Sequence, residues 1–231
     1  TRASHLTLAT VTNTTDYVGW GEAASGDFVI DPGMWTLDNY GTTLLALITN
    51  SVCVQWDSTI ASATTTRATV ISNAPTASRD MLVSTPDRHL VFFGTETTIG
   101  DPDTQDPMFI RFSSQESLTD YTPTATNTAG SQRFADGSKI IGAIRGRDAM
   151  YIWTDTAMFT MRFVGAPFTF AFEQVGTNCG LIGKNACVEV DGAGYWMSDN
   201  GFFRYTGKLE SMDCLVEDFV YDDLNTTSNQ L

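Results

Sequence analysis

The sequence predicts an all-β protein built of propeller-like blades, about four repeats, with a short C-terminal helix. Three observations carry that expectation. Helical periodicity is scarce along the chain. Apolar runs of strand length, bounded by Gly, Asn, Asp and Ser, recur instead. Four of these runs share one layout at intervals of roughly 40–60 residues, close to the period of propeller blades.

The first repeat is "LLALITNSVCVQW", with apolar residues before and after Thr49-Asn50. In the second, "HLVFFGTE" leads into Thr95-Glu96. The third, "AMYIWTDTAMFTMRF", is split by Thr154-Asp155, and the fourth, "AGYWMSDNGFFRY", by Ser198-Asp199. Each reads as a strand, a short polar hairpin turn (49–50, 95–96, 154–155, 198–199) and a second strand. Asp199-Asn200-Gly201 has residue types that tolerate positive φ in a tight turn. Near-continuous apolar runs suit strands covered on both faces by neighbouring blades. A β-sandwich or irregular β domain is the competing architecture. Residues 1–231 read as a single domain, and four blades are few enough to leave its ring incomplete. Near the end, Leu215, Val216, Phe219, Val220 and Leu224 form one helical stripe in "DCLVEDFVYDDLN", with Asp213 as cap and Glu217, Asp218, Asp222 and Asp223 on a solvated outer face.

Composition narrows function. Apolar residues make up 42% of the chain, which excludes wholesale disorder. Thirteen Lys and Arg stand against 27 Asp and Glu, a net charge of −14 that argues against a surface gripping nucleic-acid phosphates. No run approaches the ~18 apolar residues of a membrane-spanning helix, and no basic-then-apolar leader follows Thr1. Cys53, Cys179, Cys187 and Cys214 include no C-x-x-C pair, so buried free thiols of a reducing compartment are expected. Asn13-Thr14-Thr15 and Asn225-Thr226-Thr227 match glycosylation triplets, which matter only in a eukaryotic secreted protein.

Catalytic and cofactor motifs are sparse. A serine-hydrolase triad needs a histidine between hydroxyl and acid. Only His5, near the chain start, and His89, before an apolar strand where a capping or edge role is expected, are present, with no G-x-S-x-G elbow. "NCGLIGKN" has Asn178 and Asn185 where a phosphate loop requires Gly and Ser or Thr, and is rejected as a nucleotide site. Asp101, Asp103 and Asp106 in "GDPDTQDP" are calcium candidates, but they lack the Gly and distal Glu of a calcium loop and read better as a solvated turn. Paired carboxylates for glycoside hydrolysis cannot be picked out among 27 acids. Ser198-Asp199-Asn200-Gly201 is only a generic relative of the sialidase turn, with its Asp one place early. Of Trp20, Trp35, Trp56, Trp153 and Trp196, the last two sit in core-strand patterns and the others could stack on sugars. No catalytic residue and no cofactor is therefore expected.

The text of the middle and end resembles a known group. "MFIRFSSQESLTDYTPTATNTAGSQRF", "AMYIWTDTAMFTMRFVGAPFTFAF" and "VGTNCGLIGKNACVEVDGAGYWMSDNGFFRYTG" are similar to bacteriophage tail structural proteins with β-propeller domains, such as tail nozzle or hub subunits of short-tailed phages. Arg111, Ser113, Gln115, Glu116, Thr119, Asp120, Tyr121, Pro123, Thr126, Asn127, Ala129 and Gly130 carry most of the likeness. "MWTLDNYGTTLLAL" resembles the opening of the family's first blade. Asn50-Ser51 stands where members have a Gly-rich turn.

The resemblance implies a non-enzymatic virion component, made in the host cytoplasm. It would form a homo-oligomeric ring with other tail or adaptor proteins around the DNA path, with DNA passing nearby but not specifically bound. It also implies a longer parent chain, with further blades after Leu231. A carbohydrate-binding or carbohydrate-cleaving propeller for host recognition is the alternative, and a cellular repeat scaffold a third class. On this reading "FSSQESLTDYTPTATNTAG" is ordered linker, with a short helical turn over "SQESLTDY" capped by Ser114, rather than a loop presenting a nucleophile.

Overall fold

Strand pairing divides the described residues into four consecutive antiparallel meanders. In the computed structural model, residues 34–224 are described, apart from 61–62, 64, 86 and 166–167. His5, Trp20 and both glycosylation triplets lie outside the described residues. Sheet 1 comprises β1 (Trp35–Tyr40), β2 (Thr43–Ile48), β3 (Cys53–Asp57) and β4 (Thr69–Val70). Sheet 2 comprises β5 (Asp80–Val83), β6 (Leu90–Phe93), β7 (Phe109–Phe112) and β8 (Gly130–Arg133). Sheet 3 comprises β9 (Ile140–Arg145), β10 (Met150–Thr154), β11 (Ala157–Gly165) and β12 (Thr169–Thr177). Sheet 4 comprises β13 (Cys187–Val190), β14 (Ala193–Ser198), β15 (Gly201–Tyr205) and β16 (Leu209–Met212). Each sheet runs in sequence order, and the first strands β1, β5, β9 and β13 lie successively against one another. The fold is nearly all β, and this arrangement is compatible with propeller blades about an axis lined by first strands.

Three apolar layers join the sheets. Tyr40, Leu45, Leu47 and Cys53 pack on Met81, Val83, Leu90 and Phe92 between sheets 1 and 2. Val91, Phe93, Ile110 and Phe112 meet Ile140, Ile152, Phe159 and Phe170 between sheets 2 and 3. Tyr151, Trp153 and Met158 meet Trp196, Cys187 and Phe203 between sheets 3 and 4. Burial along the strands follows directly. In β6 and β10, which lie inside the stack, every residue is buried, whereas β1 and β13 alternate because only one of their faces is covered.

Three local expectations are corrected. Thr95-Glu96 is not a hairpin turn: residues 94–108 make a longer excursion with a 3-10 turn at Pro102–Thr104. The cause is Glu96, fully buried, whose carboxylate accepts from the N–H groups of Thr76 (2.8 Å), Ala77 (2.7 Å) and Gly100 (2.7 Å) and therefore cannot sit at a solvated turn. "SQESLTDY" forms no helix, because Glu116 takes a left-handed backbone (φ 59°) and the Ser114 N–H goes to the Asp120 carbonyl at 2.7 Å. The C-terminal helix, α1, is shorter than its stripe, Glu217–Asp222, and Val216 rather than Asp213 occupies the cap with no side-chain bond. Tyr221 anchors it, its hydroxyl meeting Ser198 O and Gly201 N, while Leu215, Val216 and Phe219 stay exposed.

Candidate functional site

Four sheets converge on a polar cluster at their first strands. Thr36 and Asp38 come from β1, Asp80 from β5, Arg145 from β9, and Lys184 from the approach to β13. They line a cavity of about 250 Å³. Thr36 Oγ1 donates to Asp80 Oδ1 at 2.7 Å, and Lys184 Nζ reaches the same oxygen at 2.9 Å and also meets Thr36 Oγ1. Arg145 pairs with both carboxylate oxygens of Asp38 while its Nε donates to the Val83 carbonyl at 2.8 Å. Asp38 Oδ2 accepts from the Val83 N–H at 2.7 Å. Two acids meet two cations, so the cluster is internally neutral and its charges are spent on one another. Chemically it is a clamp: it ties sheet 1 to sheets 2, 3 and 4 at the axis. Asp80 and Lys184 are both largely buried, so loss of either is costly, whereas Arg145 is exposed.

The signature stretch is built into the same scaffold. Arg111, buried on β7, donates to the carbonyls of Thr97 (2.7 Å), Glu96 (3.3 Å) and Tyr121 (3.4 Å). Tyr121 is 1% exposed, lies against Phe92, and donates its hydroxyl to Leu118 O. Asn127 donates to Asp120 Oδ2 (2.9 Å) and Thr122 O, and accepts from Thr124 N. Glu116 pairs with Arg88 at 3.1 Å in an exposed bridge, and Pro123 is exposed. Gly130 opens β8 where a Cβ would run into the Phe112 ring, so no larger residue fits there without repacking.

His89 is neither a cap nor an edge residue. It is fully buried, ringed by Phe112, Phe163 and Phe170. Its Nδ1 meets Asp87 Oδ2 at 3.1 Å and its Nε2 meets Thr128 Oγ1 at 3.1 Å. The hydroxyl-rich stretch therefore does reach a histidine, contrary to expectation, in an acid–imidazole–hydroxyl order that resembles a triad. A carboxylate only accepts, so Nδ1 carries the proton and Nε2 receives the Thr128 hydroxyl hydrogen. Burial pushes the imidazole below its ordinary pKa, against the opposing pull of Asp87. Thr128 Oγ1 also accepts the Gln115 N–H at 2.7 Å, and Ser84 donates to Asp87 at 2.6 Å. The network fastens loop 113–129 to the turn before β6, with its groups committed to that fastening.

The remaining candidates separate. Asp101 accepts from Asp103 N at 3.3 Å within the 3-10 turn, whereas Asp106 pairs with Arg133 at 2.6 Å and accepts from Met108 N. Among the described residues no group of three or more His, Cys, Asp or Glu side chains is placed to hold a metal ion. All four cysteines are free; Cys53 and Cys179 are buried, Cys187 and Cys214 half-buried. Burial pushes the Cys53 and Cys187 thiols up to about 12, leaving both protonated at neutral pH. Trp153 and Trp196 are core, as their strand patterns predict. No helix among the described residues is long and apolar enough to cross a membrane.

Among the described residues the stack ends in two sheet faces that no further sheet covers. On sheet 1, cross-strand partners place Trp35, Leu37, Leu44 and Ile48 on the side away from sheet 2, with Leu37 63% exposed. On sheet 4, Val188, Tyr195, Met197, Phe202 and Met212 face away from sheet 3, with Val188 52% exposed. A groove of about 430 Å³ runs along that face. No known protein family matches the sequence, and no characterised protein matches it either. The likeness to phage tail proteins rests on the residues quoted for it.

Proposed function

We propose that the chain is a non-enzymatic structural component of a phage tail, one of several copies forming an oligomeric ring around the DNA ejection path, in contact with other tail or adaptor proteins. The observation that carries an assembly role is the pair of open apolar sheet faces at the two ends of the stack. Two others support it. The residues of the phage-like signature, Arg111 to Gly130, serve internal architecture, and the axial charges are consumed in a clamp. A net charge of −14 disfavours phosphate contacts, which would slow DNA passing nearby.

Carbohydrate recognition is the second reading, favoured by Trp35 and Trp56 on the same side of sheet 1. Their neighbours there are mostly apolar, and Trp56 Nε1 is already donated to the Ala63 and Thr66 carbonyls. Mass spectrometry and a density map of purified virions test the proposal: the chain is expected in the tail at fixed stoichiometry. Its absence from particles contradicts the proposal. So does turnover of host polysaccharide by the purified chain that one Asp→Asn change abolishes.

A further inference from the structure

The two faces of each sheet have fixed roles. One packs on the following sheet, as Leu45 of sheet 1, Phe93 of sheet 2 and Trp153 of sheet 3 do. The other packs on the preceding sheet, as Phe92, Ile152 and Trp196 do. Among the described residues no further sheet packs on the following-side face of sheet 4 or on the preceding-side face of sheet 1, where Val54 is buried but Trp35, Leu37 and Leu44 are exposed. We propose that these are the two halves of one contact between copies of this chain, the open face of sheet 4 in one copy seating the open face of sheet 1 in the next.

Three features favour this occupant. Pairing sheet 4 with sheet 1 repeats the face-to-face combination of all three internal layers, whereas pairing like with like repeats none. The chemistry also fits: sheet 1 projects Trp35, Leu37 and Leu44, and sheet 4 offers a groove with adaptable methionine and aromatic walls at Met197, Met212 and Phe202. Finally, Arg204 and Glu210 on the sheet 4 face pair with each other, so the residues lining the groove carry a single charge, Asp213. Such a contact is heterologous, so it propagates and yields a ring where its rotation closes. The inference rests on the assembly reading above, but it fails separately: a chain located in virions can still be monomeric alone.

Sedimentation of the full chain with single-face variants tests it. At about 100 μM, where micromolar association is essentially complete, wild type is expected to form oligomers. Leu37→Glu, which spoils the sheet 1 face and leaves that of sheet 4 intact, and Met212→Glu, which does the converse, are each expected to sediment as monomers. Mixed in equal amounts they are expected to form a dimer, because one intact face of each kind remains. Circular dichroism checks that the variants fold, and Val188→Lys replaces Met212→Glu if that variant does not. A monomeric wild type overturns the proposal, as does a mixture that stays monomeric. A single variant that assembles like wild type also overturns it, since a like-with-like contact or another surface would then be responsible.

Discussion

Sheets 2 and 3 and sheets 1 and 4 share one strand plan but live in different solvents. The inner pair is covered on both faces, and β6 and β10 are buried at every position. The outer pair is covered on one face, and β1 and β13 alternate. Identical topology thus buries apolar side chains in the middle and leaves them exposed at the ends. Mutations with similar changes in size should therefore have very different consequences in the two regions.

The sharpest contrast is between Trp153 and Leu37. Trp153→Ala empties a fully buried site between sheets 3 and 4 and is expected to cost about 3–5 kcal/mol in urea unfolding. Leu37→Ala is expected to stay within about 0.5 kcal/mol for the monomer. Comparable losses would show that the sheet 1 face is covered within the chain. Next in size is the axial clamp. Asp80→Ala leaves Lys184, mostly buried, without its carboxylate and is expected to cost about 2–4 kcal/mol, with Asp80→Ala/Lys184→Met recovering part of it. No recovery in the double variant would mean that Asp80 acts through its other bonds.

The His89 fastening gives a pH dependence. Its pKa is lower folded than unfolded, so the unfolded chain binds the proton first. Its contribution is complete above the unfolded value of about 6.5 and declines as pH falls from there toward the folded pKa. Wild-type stability is expected to drop as pH falls below about 6.5 toward the lowered folded pKa, a drop that His89→Phe lacks. A flat profile in that window contradicts the neutral buried imidazole. The smallest effect belongs to the exposed turn: Asp103→Ala is expected within about 0.5 kcal/mol, with no Tm rise on adding calcium. A calcium-dependent Tm rise lost in Asp103→Ala would make that turn a binding site.

Central hairpins were legible in the sequence because their strands are apolar on both faces. Runs such as "LVFF" and "MYIW" need no alternation to be recognised. Flanking strands left little signal. β4 is only Thr69–Val70, and β8, "GSQR", is polar and largely exposed, so neither has the residue pattern of a buried strand. The polar clusters were hidden for a different reason. Asp38 and Arg145 are 107 positions apart, and His89 and Thr128 are 39 apart, so only the stacking of sheets brings them together. Arg145, the lone charge at the end of the apolar "IIGAIR", was the available hint. The C-terminal stripe failed as a core predictor because a helical period reports an apolar face, not whether anything covers it.

A density map of the intact virion tests the central claim most directly. The chain is expected in the tail, in a ring, with Leu37 of sheet 1 and Val188 of sheet 4 buried against neighbouring protein. A chain missing from the particle, or one present with both faces in open solvent, would contradict it.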